Sequence, residues 1–457
     1  MVINPEIFKA YDIRGIYQED FDEEMAYKLG LAYCQMRKKE LSNQESVTVV
    51  VAMDMRNSSE SLQNKLIEGL RDGGLNVIDI GLAATPTFYF AVANYGYDGG
   101  ILVSASHNPK EYNGFKIVRD KASPVSGKTG MMDLRDLVIA DNFAKSEKRG
   151  NLEIKKNVLE SQVEHDLKFV NLDKIKSMKI VIDPANSMGA LYFDALFKKA
   201  PGEIVRMYWD LDGTFPNHEA DPLKFENMAD LQKKVIEEEA DLGIATDGDG
   251  DRIFFVDNKG EIVEPGIVRA FLAKIFLEEN PGAKIAYDIR PGKITPDVIL
   301  ENGGVPILTP VGHSLIKEQA IKEGAVFAAE SSGHMFINMK EKGCYEVPMI
   351  IALKLLEAIS ESGKSFSEYV APYRKYFHSG EINSVVESVQ GKIEEIKKIY
   401  QNGEQNDLDG VTVTYNDWWF NIRGSNTEPK IRLNLEARNK DLMEEKTKEV
   451  LAVIRGK

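Results

Sequence analysis

Cysteine is nearly absent from this chain of 457 residues, with only Cys34 and Cys344 present. Two thiols so far apart neither staple a secreted chain of this size nor form a zinc cluster, so a reducing compartment, the cytoplasm, is expected. A basic excess is also missing. Lys and Arg number 57 against 72 Asp and Glu, a formal charge of -15 that repels polyphosphate backbones and anionic bilayers. Nucleic acid and membrane are therefore not expected as partners. Long apolar runs are lacking too: nowhere do about 18 uncharged apolar residues follow one another, and MVINPEIFKAYDIRGIYQED has no apolar stretch behind a basic start. Neither a membrane span nor export is expected. A Walker loop is missing as well, because the GKT at Gly127 and the GKS at Gly363 would need glycines where Ala122 and Ala358 stand.

What is present is an ordinary globular composition, 43% hydrophobic and 28% charged, long enough for about three domains of roughly 150 residues. Short apolar runs ending in polar loops recur. VTVVVAMD closes on Asp54, KIVID on Asp183 and KIAYD on Asp288. Each is followed by a helical stretch and a second strand, NVIDIG, EIVRMYW or VPILTP, and then by a third, GGILV, ADLGI or GAVF. Strand and helix alternation of this kind predicts mixed α/β domains, and the loops beyond strand carboxyl ends are where such sheets bind ligands. The third strands deliver SASHNP, ATDGDGD and AAESSGH. Past Pro372 the pattern changes: VTVTY alternates, KIRLNLEA puts Ile431, Leu433, Leu435 and Ala437 on one face, and an amphipathic helix closes the chain. The expected domains are three α/β units at 1–148, 149–253 and 254–366, then an α+β unit at 367–457, reached through a polar SGKSFSEYVAPYRKY connector.

Four loops carry chemistry. In Asp247-Gly248-Asp249-Gly250-Asp251-Arg252, glycines let the backbone curl so that three carboxylates converge on a hard divalent cation. An EF-hand is excluded, since Arg252 and Asn258 occupy the positions that need glycine and glutamate; a solvated acidic turn is the plain alternative. Ser104-Ala105-Ser106-His107-Asn108-Pro109, with Lys116 ten residues beyond Ser106, fits a capped turn or a serine that carries an acyl or phosphoryl group. The run from Arg423 to Arg432, RGSNTEPKIR, has the inventory of a phosphate cradle or of a charged hairpin. Glu330-Ser331-Ser332-Gly333-His334 suits reading sugar hydroxyls, or capping a helix.

Together with FKAYDIRG from Phe8 to Gly15, these loops in this order resemble the α-D-phosphohexomutase superfamily, in particular its phosphomannomutase/phosphoglucomutase group. The resemblance spans the chain. It implies three similar α/β domains and a fourth of TATA-box-binding-protein-like fold around a central cleft. It implies an intramolecular phosphotransferase that interconverts hexose 1-phosphate and 6-phosphate, of mannose or glucose, through a hexose 1,6-bisphosphate intermediate that also activates. Ser106 is then the phosphoserine, and Asp247, Asp249, Asp251 and a phosphoserine oxygen hold one Mg²⁺. Tyr11, Arg14, His107, Lys116 and Arg252 match the reaction centre. Arg290 and His313 match substrate contacts, Glu330 and Ser332 the sugar-hydroxyl readers, and His334 lies near the reacting sugar. Arg423, Ser425, Asn426 and Thr427, with Arg432 helping, match the distal phosphate cradle.

On this reading Lys116 takes the attacking hydroxyl's proton, which requires a depressed pKa; His107 and His334 are the other candidates. The protein is expected to act as a monomer or weak homodimer on a hexose phosphate. The alternatives are a phosphoglucosamine mutase, a sugar-phosphate phosphatase and a non-enzymatic sugar-phosphate sensor. Ala329, Val311 and Ser104 depart from the group's usual residues without removing a proposed ligand. Gly343-Cys344-Tyr345-Glu346-Val347 lacks the paired aspartates common near the sugar domain, which leaves the preferred sugar open.

Overall fold

The computed structural model describes residues 3–143, 145–290, 292–424 and 430–456. It divides into two compact units, Met1–Ile262 with Met335–Phe366, and Val263–His334 with Ser367–Lys457. Among the described residues no helix is long and apolar enough to cross a membrane.

In the first unit, the β-branched run Thr48–Met53 and the strand Gly99–Val103 are buried almost throughout, as expected of parallel strands covered on both faces. They lie in a sheet of order Ile13–Ile16, Tyr112–Arg119, Gly99–Val103, Thr48–Met53, Asn76–Leu82, Leu152–Ile154. Tyr112–Arg119 runs antiparallel to both of its neighbours, Gly99–Val103 and Ile13–Ile16. The second domain repeats the central order with Ile253–Asp257, Leu242–Thr246, Lys179–Asp183 and Glu203–Arg206, again with an antiparallel strand after the loop-bearing one. The unit also contains the hairpin Met335–Asn338 and Cys344–Glu346 and the buried helix Pro348–Ser362.

The second unit carries the third copy of the parallel core, Phe327–Ala329, Lys284–Asp288 and Val305–Thr309. Its C-terminal part is an antiparallel sheet of order Phe377–His378, Lys430–Ala437, Trp418–Gly424, Val411–Thr414, Glu404–Asn406, with Ile382–Val385 also paired to Lys430–Ala437. Ile431, Leu433, Leu435 and Ala437 are fully buried there together with Ile396 and Val450 of the helices Val389–Ile399 and Lys440–Arg455. Two local expectations change. The second domain's second strand stops at Arg206 instead of running on to Trp209. The polar connector contains the helix Phe366–Val370, because Phe366 and Val370, four residues apart, are both buried.

Candidate active site

The strands Gly99–Val103 and Leu242–Thr246 each end in one of the two loops that meet in the first unit. Ser106 is fully buried, has a left-handed backbone (φ 48°), and donates from Oγ to Asp247 Oδ2 at 2.7 Å. Its hydroxyl also lies 3.3 Å from His107 Nδ1. The close approach of the loops explains Gly248, since a Cβ there would stand 2.3 Å from the Ser106 carbonyl oxygen. Asp247 Oδ1 accepts the backbone N–H groups of Asp251 and Arg252, both at 3.1 Å, so the loop curls around its first carboxylate.

Asp247, Asp249 and Asp251 are all buried, and one oxygen of each lies within 4.8 Å of the others. Burial and the charges of Asp251 and Asp249 push the Asp247 carboxyl well above its ordinary pKa, more than Arg252 and Lys116 offset. Asp249 Oδ2 accepts Thr85 Oγ1 at 2.6 Å, whereas its buried Oδ1 accepts no hydrogen bond among the described residues. A trio of hard oxygen donors under mutual repulsion, one of them with an open lone pair, fits Mg²⁺.

Cations surround the cluster. Strand pairing sets Arg14 opposite Gly114, so by the two-residue period Arg14 and Lys116 share one sheet face. The Lys116 ammonium is buried against both Asp249 and Asp251. Burial alone would lower its pKa, yet the two carboxylates raise it well above the ordinary value. The depressed pKa expected of a base is therefore not found here; the side chain is a paired cation. Arg14 donates to Asp12 at 2.7 Å and to Asn108 Oδ1 at 2.6 Å. Arg252 lies 3.7 Å from Asp247 and 3.6 Å from Asp221. Tyr11, half-buried, precedes Asp12 on the same segment.

The second unit gathers the residues expected to read the sugar. Arg290 pairs with Asp288, lies 3.5 Å from Glu330 and reaches Ser332 Oγ at 3.3 Å. Glu330 accepts the Gly312 N–H at 2.8 Å and the Ser332 hydroxyl at 3.2 Å; burial raises its pKa despite Arg290. His313 and His334 stack with ring centres 5.7 Å apart. In the C-terminal domain, Glu381 holds Arg423 at 2.9 Å, Arg432 at 3.3 Å and Asn434 at 3.2 Å. Ser425, Asn426 and Thr427 lie outside the described residues.

Several residues of these sites escaped the sequence reading. Thr85 braces Asp249 through both its hydroxyl and its N–H. Asp288, seen only as a strand end, accepts the Ser331 N–H and binds Arg269 and Arg290. Glu381 carried no motif at all. The recurring strand-terminal aspartate was the available signal for Asp288.

Comparison with known proteins identifies the family. Four models of the phosphoglucomutase/phosphomannomutase family match in order: α/β/α domain I over residues 5–140, domain II over 157–260, domain III over 266–376 and the C-terminal domain over 381–453. The chain is 40% identical over 458 residues to a phosphomannomutase of Vibrio cholerae and 38% identical over 461 residues to one of Escherichia coli, covering 98% of each sequence. A crystal structure of a family protein from Burkholderia thailandensis superposes with a TM-score of 0.87 at 30% identity, covering 99% of this chain and 98% of that one. The chain belongs to the phosphoglucomutase/phosphomannomutase family.

Proposed function

We propose that this protein is a phosphohexomutase that interconverts hexose 1-phosphate and hexose 6-phosphate, of mannose, glucose or both, through a phosphoserine at Ser106. The observation that carries the reading is the buried Ser106 hydroxyl, 2.7 Å from Asp247 in a three-carboxylate cluster faced by Lys116 and Arg14. Relatives named phosphomannomutase support mannose as a substrate.

In the first half-reaction the bond from phosphorus to Ser106 Oγ breaks as a sugar hydroxyl oxygen bonds to phosphorus, and the hydroxyl's proton ends on Ser106 Oγ. In the second half the bond from the other phosphorus to its sugar oxygen breaks as Ser106 Oγ bonds to that phosphorus, and the serine proton passes to the freed sugar oxygen. Asp247, Asp249 and Asp251, with a phosphoserine oxygen, would hold Mg²⁺, which would supply charge neutralisation at the transferring group. The chain's own side chains do the positioning. Arg14, Lys116 and Arg252 balance the charge that spreads over the phosphoryl oxygens, which is most of what such a transfer requires. His107, 3.3 Å from Ser106 Oγ, is placed to exchange a proton there, and Lys116 is the other candidate once a metal takes the oxygens of Asp249 and Asp251. Tyr11 lines the same reaction centre. Glu330 and Ser332 read sugar hydroxyls, with Arg290, His313 and His334 around the ring. Arg423, Ser425, Asn426 and Thr427, helped by Arg432, hold the phosphate that is not being transferred. A reader indifferent to the 2-hydroxyl accepts both mannose and glucose. The enzyme is proposed to be a cytoplasmic monomer or weak homodimer.

The test is a coupled assay on mannose, glucose and glucosamine 1-phosphates with Mg²⁺ and the matching 1,6-bisphosphate, for the wild type and Ser106→Ala. Turnover of mannose and glucose phosphates by the wild type, phosphate on Ser106 by mass spectrometry, and loss of both in the variant are expected. Full activity of the variant would overturn the reading, and release of inorganic phosphate in place of isomer would make the protein a phosphatase.

A further inference from the structure

Arg56 belongs to none of the loops described above, yet it is only 3% exposed. It follows the strand Thr48–Met53 in a turn fastened by Asp54, whose Oδ1 accepts the Arg56 N–H at 3.0 Å and the Ser59 hydroxyl at 2.6 Å. The other carboxylate oxygen lies 3.3 Å from Arg56 Nε. From this anchored base the guanidinium reaches into the Ser106 loop. Nη1 donates to the carbonyls of Pro109 at 2.7 Å and Tyr112 at 2.9 Å; Nη2 donates to those of Ser106 at 2.8 Å and Asn108 at 2.5 Å. The ring of Phe215, from the second domain, covers the guanidinium with its centre 5.1 Å away.

A single planar fork thus satisfies three carbonyls of the irregular segment between Val103 and Tyr112, and a fourth on Tyr112, the first residue of the next strand. Buried carbonyls need partners, and this loop finds them outside regular structure. Ser106 also has a left-handed backbone, a conformation that costs a non-glycine residue on the order of 1 kcal/mol or more and persists only where its surroundings over-determine it. The direct bond from Arg56 to the Ser106 carbonyl is one such constraint; the Gly248 approach from the opposite loop is another.

We infer that Arg56 is a positioning residue for phosphoryl transfer: its guanidinium locks the 106–112 backbone so that Ser106 Oγ is held at the aspartate cluster. Its Nη atoms donate to backbone carbonyls, so it acts through the loop. The inference rests on the proposed role of Ser106 as phosphoryl carrier. A misplacement of about 1 Å in a reacting group costs on the order of 10²-fold in rate. Since the sugar-reading residues lie elsewhere, the loss should fall on kcat and on the rate at which Ser106 is phosphorylated. Lysine cannot reproduce the fork, because its three donors radiate from one point.

Arg56→Ala and Arg56→Lys should be compared with the wild type by steady-state kinetics, by the rate of Ser106 phosphorylation from hexose 1,6-bisphosphate followed by intact mass, and by circular dichroism. Expected are a kcat about 10²-fold lower in Arg56→Ala with KM within about twofold, an intermediate Arg56→Lys, and partial recovery of Arg56→Ala by methylguanidinium. Wild-type kcat and phosphorylation rate in Arg56→Ala would overturn the proposal, as would a defect confined to KM. Unfolding of both variants would also overturn it, by assigning Arg56 to folding alone. If the wild type itself carries no phosphate on Ser106, it is the carrier reading that fails, whatever Arg56 does.

Discussion

Lys116→Met keeps much of the side chain's length and removes the ammonium held by Asp249 and Asp251. What remains is three buried carboxylates with one fewer neighbouring cation. Breaking a buried pair by removing one partner costs roughly 3–5 kcal/mol, so in chelator the first unit of the variant should unfold at a clearly lower temperature. A divalent ion should then recover most of that loss, because it takes over the ammonium's task. It should also bind more tightly. In the wild type an incoming divalent ion meets a fixed positive charge, and a single and a double charge about 4 Å apart at an effective dielectric of about 20 repel by about 8 kcal/mol. Even if relaxation and solvent reduce this to about 1.4–2.8 kcal/mol, Mg²⁺ affinity rises about 10- to 100-fold. Titration calorimetry on chelator-stripped protein measures the affinity, and melting in EDTA and in Mg²⁺ measures the compensation. Turnover should be lost although metal binding improves. A folded variant with unchanged or weaker Mg²⁺ affinity would refute the view that Lys116 and the cation compete for the same carboxylates.

Three further outcomes are expected. Gly248→Ala would place a Cβ 2.3 Å from the Ser106 carbonyl oxygen, so it should lower kcat by about 10²-fold while the melting temperature falls only slightly; a fully active variant would show that the two loops separate at no cost. His218 donates to Asp183 at 3.0 Å and to the Glu219 carbonyl at 2.8 Å; burial opposes its charge but these partners raise its pKa. The imidazolium therefore contributes stability that is fully present below its unfolded pKa of about 6.5 and is lost as pH rises through the raised folded value, and His218→Gln should flatten this fall in melting temperature above about pH 6.5. An identical pH profile for the variant would contradict the assignment. Glu381→Gln keeps an acceptor for Arg423 and Arg432 but removes a partly exposed negative charge that competes with phosphate, so KM for hexose phosphate should fall about two- to fivefold, an effect of about 0.5–1 kcal/mol. A higher KM would mean that Glu381 serves to hold the arginines in place.

The parts of this site that were legible in the sequence are those whose chemistry is contiguous. Asp247, Asp249 and Asp251 announce themselves because alternating glycines and carboxylates have few other uses, and Ser106 because its loop follows a buried strand, as two other loops do in the repeated pattern. The three strand-end aspartates were visible as a repeat for the same reason, although what they do was not. Asp54 fastens the Arg56 turn, Asp183 accepts the Ala185 N–H and pairs with His218, and Asp288 accepts the Ser331 N–H. In the first two domains the carboxylate accepts the N–H two residues on and closes the turn beyond its strand, whereas Asp288 reaches across 43 residues to the Ser331 loop.

What stayed hidden depends on long-range pairing. Thr85 braces Asp249 across 164 residues, and Arg56 reaches the Ser106 carbonyl across 50, so no local pattern marks either residue. Lys116 shows the limit most clearly. Its identity and its place beside the serine loop were readable, but its protonation was not, because that depends on two carboxylates brought from a different domain into the same buried space. Desolvation argues for a neutral amine and the carboxylates argue for an ammonium; with two acids against one cation, the ammonium prevails. A lysine so held cannot begin as a base, and any base role must wait until another cation takes those oxygens. The tighter Mg²⁺ binding expected of Lys116→Met tests the same competition from the other side.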